Sequence, residues 1–294
     1  MYEDFYGLKE KPFSIQPDAD FLYWSRMHTL AFAMLQYGVL NRAGFTVITG
    51  GIGCGKTTLV RHLLNKLGDD VTVGLLSNTP DDNANLLEWI SMAFGLYWDE
   101  KSDAVLYDQF RQFLILQYSR GRRTLLIIDE AQNLGPRALE NLRMLSNINA
   151  DKDQLLQLIM VGQPQLRDLL RQPNLIQIAQ RVSSDFHLRP LGRDEVTNYI
   201  GHRLKVAGGG DRSYFTLEAC HEIFKSSQGV PRVVNILCDT ALIYGFSQSM
   251  PQITGEIVEQ VIRDKSEYGV FDYSSDTGAN FKVVGQNTSA IRDD

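Results

Sequence analysis

Apolar residues over the first 190 positions of this 294-residue chain alternate between two patterns. Short continuous apolar runs predict buried strands, and segments with apolar residues three and four positions apart predict helices. The predicted strands are 45–49, 71–76, 124–128 and 155–162, and the predicted helices are 27–41, 58–64, 83–94, 106–118 and 136–146. Strands that alternate with helices indicate an α/β fold with a doubly wound parallel sheet.

After residue 190 the pattern becomes all-helical. Helical spacing recurs over four segments, 193–206, 216–227, 232–247 and 253–267. We therefore expect an α/β core at 1–190 and a smaller all-α lid domain at 191–268. Residues 269–294 are rich in Gly, Ser, Asn and Asp, which predicts a flexible polar tail. Residues 1–24 carry too many aromatic side chains for a disordered tail, so we expect them to pack on the α/β core.

Composition and charge are those of an ordinary globular protein. Hydrophobic residues make up 44% of the chain and the formal net charge is −6, so the overall charge does not favour nucleic acid, although a local basic patch stays open. The cysteines Cys54, Cys220 and Cys238 are far apart, which indicates a reducing cytoplasm. No apolar run approaches about 18 residues and the N-terminus has no basic, then apolar leader. We expect neither a membrane helix nor a signal peptide.

A glycine-rich motif lies between the predicted strand at 45–49 and the predicted helix at 58–64. It reads Gly50-Gly51-Ile52-Gly53-Cys54-Gly55-Lys56-Thr57 and matches G-x-x-x-x-G-K-[ST] at every position. In a phosphate-binding loop the glycines let backbone N–H groups face an anion, and the following helix adds its positive end. We predict that this loop and Thr58 bind ATP, that Lys56 reaches the β- and γ-phosphates, and that Thr57 ligates Mg²⁺. The alternative is a glycine-rich turn that matches by chance, and Cys54 is expected to be a small filler side chain.

Two adjacent acids end the apolar run at 124–128. Asp129 is expected at the carboxyl end of a central strand, where open α/β sheets bind ligands, and its carboxylate can hold Mg²⁺ through the water shell of the ion. Glu130 can act as the general base for the attacking water. Solvated acids at a strand end are the alternative. Beside a phosphate-binding loop, the pair predicts an ATP hydrolase.

Several short motifs occur in a fixed order along the chain. They are Leu126-Ile127-Ile128-Asp129-Glu130-Ala131-Gln132, Val161-Gly162-Gln163-Pro164-Gln165-Leu166, Gln180-Arg181, Gly229-Val230-Pro231-Arg232 and the opening Met1-Tyr2-Glu3-Asp4-Phe5-Tyr6-Gly7-Leu8 with Lys11-Pro12-Phe13 and Pro17-Asp18. With the phosphate-binding loop, they resemble the AAA+ ATPases of the general secretion pathway protein A (ExeA) type over about residues 1–268. Relatives of this type include MshM of pilus biogenesis and ATPases encoded with exosortase and exopolysaccharide clusters.

The resemblance implies roles for three further residues. Gln163, which follows the strand beside the acid-ended strand, corresponds to a polar sensor of the γ-phosphate, with a plain polar strand end as the alternative. Arg232 matches the lid arginine that touches the phosphates, although a proline before it is also ordinary helix capping. Arg181 is the candidate arginine finger that completes the site of a neighbouring subunit, with Arg171 and Arg189 as competitors. Its alternative is a surface salt bridge.

The resemblance also implies a function and a location. We expect a Mg²⁺-dependent ATPase that forms an ATP-favoured ring or helical homo-oligomer and serves assembly of a cell-envelope secretion, pilus or exopolysaccharide-export system. A DNA-associated regulator of the TniB and MuB transposition type is the alternative, and a scaffold that binds ATP and barely hydrolyses it is a third. ExeA itself continues into a membrane span and a peptidoglycan-binding region. This chain instead resembles the short members, which we expect in the cytoplasm or at the inner membrane through a partner.

Overall fold

The computed structural model of the protein describes residues 1–77, 85–150 and 153–268. They form two compact units: an α/β unit of residues 24–189, and a helical unit of residues 1–23 and 190–268. The predicted tail at 269–294 lies outside the described residues.

Seven strands and twelve α-helices make up the described chain. The strands are β1 (Phe45–Gly50), β2 (Val71–Leu76), β3 (Arg123–Ile128), β4 (Asn149–Ala150), β5 (Asp153–Gln154), β6 (Leu156–Gly162) and β7 (Val182–Leu188). The helices are α1 (Tyr2–Tyr6), α2 (Arg26–Leu40), α3 (Lys56–Leu64), α4 (Leu86–Ala93), α5 (Asp103–Ser119), α6 (Pro136–Leu145), α7 (Pro164–Leu170), α8 (Ile176–Ala179), α9 (Arg193–Leu204), α10 (Leu217–Ser227), α11 (Pro231–Ser247) and α12 (Gly255–Tyr268). Within the described ranges, no helix combines the length and the apolar character that crossing a bilayer requires.

The α/β unit is built on a five-stranded sheet in the order β2-β3-β6-β1-β7, and every neighbouring pair is parallel. Strands β1 and β6 are buried along their whole length. Both faces of such a strand are covered, which is why these strands are continuous apolar runs in the sequence. Strands β4 and β5 form a separate antiparallel pair.

Helices cover both faces of the sheet. Alternate residues of the central strands, such as Val47, Leu126 and Leu158, join one apolar cluster with residues of α4, α5, α6, α7 and α8. Helices α2 and α3 pack against β1, and α2 also contacts β7. The doubly wound parallel fold predicted from the sequence is therefore confirmed.

Strand β7 was not predicted from the sequence. It lies at the edge of the sheet, and its residues Ser183 and Asp185 are exposed, so it has no continuous apolar run. The short helices α1, α7 and α8 were not predicted either. Helices of four to seven residues show too few turns for a clear apolar period.

The helical unit buries one apolar core among α9, α10, α11 and α12. Val196, Ile223, Leu237 and Val258, one from each helix, are fully buried in it. Helix α9 continues into a π-helical turn over Lys205–Gly209. The helices predicted after residue 190 are thus present, with ends shifted by a few residues.

Residues 1–23, called the N-terminal strap below, belong to the helical unit. Tyr2, Tyr6 and Phe13 are each at most 2% exposed and lie in the apolar core of that unit. The Arg203 side chain donates to the Pro12 carbonyl, and Asn235 Nδ2 donates to Ser14 O at 3.0 Å. The expectation that this segment packs as part of the α/β core is therefore wrong, because its aromatic side chains are buried against the C-terminal helices.

Candidate functional site

The phosphate-binding loop connects β1 to α3. Gly53 has φ 75° and Gly55 has φ 92°, a left-handed conformation that side chains other than glycine adopt at a cost. Gly50 is needed for a different reason: a Cβ there would lie 2.7 Å from the Leu188 carbonyl oxygen of β7. Three glycines of the motif are thus required by backbone conformation or close approach, as the phosphate-loop prediction supposes.

Lys56 begins helix α3 and is only 6% exposed. Its Nζ donates to Gly50 O at 2.9 Å and to Gly51 O at 3.0 Å, so the ammonium group lies against the loop. Burial lowers the pKa of Lys56, and the nearby Glu130 carboxylate partly opposes that shift. A phosphate oxygen is a stronger acceptor for this ammonium group than a neutral carbonyl.

Thr57 and Asp129 are joined by a hydrogen bond from Thr57 Oγ1 to Asp129 Oδ2 at 2.9 Å. Asp129 follows β3 and is 7% exposed, and burial raises the pKa of its carboxyl group. Two hydrogen bonds oppose that rise, one from Thr57 and one from the Glu130 backbone N at 2.9 Å. A hydroxyl and a carboxylate at this edge of the sheet are the oxygen ligands that Mg²⁺ prefers, so these residues fit the predicted ion.

Glu130 lies in a small amide network. Gln132 Nε2 donates to Glu130 Oε2 at 2.6 Å, and Gln163 Nε2 donates to the same oxygen at 3.2 Å. The Gln163 backbone N donates to Gln132 Oε1 at 2.8 Å. The structure therefore brings the predicted base and the predicted sensor together. Gln132 is a member of this network that the sequence did not reveal, although it lies in the same motif as Glu130.

His28 is a second member of the site that sequence reasoning missed. Its Nε2 lies 3.1 Å from the Cys54 carbonyl oxygen in the phosphate-binding loop, and its Nδ1 lies 2.7 Å from Ser25 Oγ. Ser25 caps the N-terminus of α2 and accepts from the His28 backbone N at 3.2 Å. The one sequence signal here is the cap residue three positions before the histidine.

The predicted arginines lie in different places. Arg181 is half-buried just before β7, where it donates to Ser146 Oγ at 2.8 Å and also to Asn147 Oδ1. Arg171 caps α7 and Arg189 follows β7, and both are exposed. Arg232 is exposed in the first turn of α11, in the helical unit. The trans role of Arg181 and the phosphate role of Arg232 stay predictions.

The parallel sheet and its phosphate-binding loop are similar in arrangement to those of P-loop proteins of the AAA+ class. Residues 40–170 match the family model described as an AAA domain. The fold is similar to that of Cdc6p from Pyrobaculum aerophilum, with a TM-score of 0.62 and 16% identity over 89% of this chain and 70% of that chain. It is also similar to Aeropyrum pernix ORC1 in complex with DNA, with a TM-score of 0.61 and 15% identity over 89% of this chain and 72% of that chain.

One relative indicates a more specific type within this class. The chain is 40% identical over 254 residues to General secretion pathway protein A of Aeromonas hydrophila, a match that covers 86% of this chain and 46% of that protein. The resemblance to AAA+ ATPases of this type is thereby confirmed. The chain spans slightly less than half the length of this relative.

Proposed function

We propose that this protein is a Mg²⁺-dependent ATPase that couples ATP binding and hydrolysis to assembly of a cell-envelope secretion, pilus or exopolysaccharide-export system. The observation that supports the hydrolytic part is the arrangement around one edge of the sheet. There Lys56 contacts the loop backbone, and Thr57 is hydrogen-bonded to Asp129. The Glu130 carboxylate accepts hydrogen bonds from two side-chain amides, those of Gln132 and Gln163. The identity to General secretion pathway protein A supports the envelope role.

Each side chain has a separate task in this proposal. Lys56 binds the β- and γ-phosphates, and Thr57 with Asp129 would hold Mg²⁺, which offsets negative charge on those phosphates when it is bound. Glu130 takes a proton from the water whose oxygen forms the new bond to the γ-phosphorus, while the bond to the bridging oxygen of ADP breaks.

The first prediction separates catalysis from binding. Glu130→Gln keeps the shape of the side chain but removes the base, so ATP should still bind while turnover falls at least about tenfold. Lys56→Ala should instead weaken ATP binding, because the loop loses its buried cation. Isothermal titration for affinity and steady-state phosphate release for turnover measure both effects. Turnover of Glu130→Gln at the wild-type rate would contradict the assignment of the base.

We also propose that ATP favours a homo-oligomer and that Arg181 acts on the nucleotide of a neighbouring copy. Arg181 immediately precedes β7, whereas Gly50 ends β1 and Asp129 follows β3, and these strands of one sheet run parallel. Arg181 therefore lies at the amino ends of the parallel strands, whereas Gly50 and Asp129 lie at their carboxyl ends. The seven residues of β7 span roughly 20 Å at the usual rise of a strand. A direct role for Arg181 in hydrolysis thus needs a second subunit.

The second prediction tests this arrangement. Arg181→Ala should bind ATP but lose turnover by at least about tenfold, and mixing it with Lys56→Ala should restore part of the activity, since each copy supplies what the other lacks. Ser146→Ala removes one contact of Arg181 and keeps the arginine, so it serves as the control and should stay active. Light scattering that finds the same monomer with ATP, ADP and no nucleotide would overturn the proposal.

A DNA-associated regulator is the second candidate function. The solved complex of Aeropyrum pernix ORC1 with DNA motivates it, but at 15% identity this likeness concerns the fold alone. The net charge of −6 does not favour it. ATP turnover with and without double-stranded DNA at moderate salt distinguishes the two candidates. DNA is expected to raise the turnover only if the protein is a DNA-associated regulator.

The location and the partners are part of the same proposal. We place the protein in the cytoplasm or at the inner membrane through a partner from the envelope machinery. Fractionation of cells with and without the neighbouring envelope genes, followed by co-purification, tests both. Recovery in the cytosol with no envelope protein bound in either strain would contradict the envelope role.

A further inference from the structure

The Gln132 side chain bridges the two residues that hold the reacting end of the proposed site. Its Nε2 donates to Glu130 Oε2 at 2.6 Å, and its Oε1 accepts from the Gln163 backbone N at 2.8 Å. A backbone N–H can only donate, so Oε1 must face Gln163 and Nε2 must face the carboxylate. The orientation of the amide is therefore set by its partners. Nε2 has a weaker contact with Asn133 Oδ1 at 3.4 Å.

Local backbone structure favours this bridge on both sides. Glu130 has φ 52° and is followed by a 3₁₀ turn over Ala131–Asn133, so the chain turns sharply after the acid. On the other side, a Cβ on Gly162 would lie 2.8 Å from Gln132 Oε1. A side chain at position 162 would therefore push the amide out of the bridge.

Two amides converge on one oxygen of Glu130. Gln132 contributes the shorter hydrogen bond at 2.6 Å, and Gln163 Nε2 contributes the longer one at 3.2 Å. Hydrogen bonds to an ionised acceptor are roughly twice as strong as those between neutral groups. The carboxylate thus has a preferred direction, and Gln132 restricts its rotation more than Gln163 does.

We infer that Gln132 is a positioning residue for ATP hydrolysis, which sets the direction of the Glu130 carboxylate and links it to the end of β6. The inference rests on the proposed function, in which Glu130 is the base. A base must lie within hydrogen-bond reach of the proton that it removes, and a displacement of about 1 Å can cost about 100-fold in rate. Loss of Gln132 therefore slows hydrolysis and leaves ATP binding intact.

The test compares kcat with ATP affinity. Gln132→Ala should lower kcat by about 10- to 100-fold and change the Kd for ATP by less than about twofold. Gln132→Glu, which removes the donor and adds a like charge, should lower kcat at least as far. Gln165→Ala changes the same residue type on the exposed side of α7 and should keep the wild-type kcat. Gly162→Ala displaces the same amide from the opposite side and should reproduce the loss.

A double variant shows whether Gln132 acts through Glu130. In the Glu130→Gln background, adding Gln132→Ala should not reduce the residual turnover further, because there is no base left to position. Wild-type kcat in Gln132→Ala would overturn the inference, and so would a full additional loss in the double variant. If Glu130→Gln itself turns over at the wild-type rate, the proposed function fails first and the inference fails with it.

Discussion

His28 is a buried side chain that contacts the backbone of the phosphate-binding loop. Its ring connects Ser25 at the start of α2 to the Cys54 carbonyl in the loop, and it is 4% exposed. A Cβ on Gly55 would lie 3.0 Å from its Nε2. Histidine and loop backbone are thus packed directly together, so a change at position 28 should alter the loop.

The third prediction concerns this contact. His28→Ala removes the partner of a loop carbonyl and leaves a gap, so we expect ATP affinity to fall by about tenfold, consistent with the cost of a lost buried hydrogen bond. The Kd for ATP measured by titration checks this, with His221→Ala, a partly buried histidine of α10, as the control. An unchanged Kd in His28→Ala would show that the loop holds its shape without the imidazole.

At the residue scale, the sequence predicted the parts of the site that are close together in the chain. The loop and the acid pair are short motifs whose chemistry follows from residue type. Gln132 and His28 act through contacts with Gln163 and Cys54, which are 31 and 26 positions away. No local sequence pattern reports such a contact, because it depends on which distant segments the fold brings together.

The turn between α10 and α11 is the clearest case in which the local structure depends on one residue, Gly229. Gln228 and Gly229 both have positive φ, 50° and 74°, and a Cβ on Gly229 would lie 1.9 Å from the Leu191 carbonyl oxygen. The Gly229 carbonyl in turn accepts from Leu191 N at 2.9 Å. The turn therefore fits closely against the chain that leads into α9.

The fourth prediction compares two glycines of the helical unit. Gly229→Ala should destabilise this unit by about 3 kcal/mol or more, since strain and overlap with backbone act together. Gly201→Ala, in the middle of α9 with nothing within 4 Å of the added Cβ, should be neutral or stabilising by up to about 1 kcal/mol. Chemical denaturation of both variants measures the difference. Equal stabilities would mean that the junction relaxes around the new methyl group.

At the element scale, the presence of a run of apolar residues decided which strands could be predicted. Strands β1, β3 and β6 are mostly apolar because both of their faces are covered. Strand β7 lies at the edge and mixes Ser183, Asp185 and His187 with apolar residues, so its pattern resembled a loop. The position of β7 is set by its pairing with β1. That pairing between distant segments cannot be predicted from the local sequence of β7.

At the scale of the whole molecule, the N-terminal strap makes contacts with residues far away in the sequence. Tyr214 donates to the Tyr6 carbonyl at 3.0 Å, and the rings of Phe13 and Phe215 meet edge to face at 6.0 Å. Aromatic content predicted that residues 1–24 are buried, but it could not predict the partner. The contacts of the strap reach residues about two hundred positions further along, beyond any local pattern.

The fifth prediction tests the contribution of the strap. Phe13→Ala should destabilise the helical unit by about 3–5 kcal/mol, because a fully buried aromatic side chain leaves a cavity. Ile15→Ala, at a strap position that is 53% exposed, should cost far less. Hydrogen exchange should show faster exchange in α9–α12 of Phe13→Ala and unchanged protection in β1, β3 and β6. Equal protection of α9–α12 in both variants would contradict this role.

The strap also fixes an order of events during synthesis. Its aromatic residues are translated about two hundred positions before the helices that bury them. At a translation rate of about 5–20 residues per second, the apolar side chains of the strap stay exposed for many seconds while the α/β unit is synthesised. Nascent chains should therefore protect Tyr2, Tyr6 and Phe13 from a chaperone or a protease only after α12 has emerged from the exit tunnel.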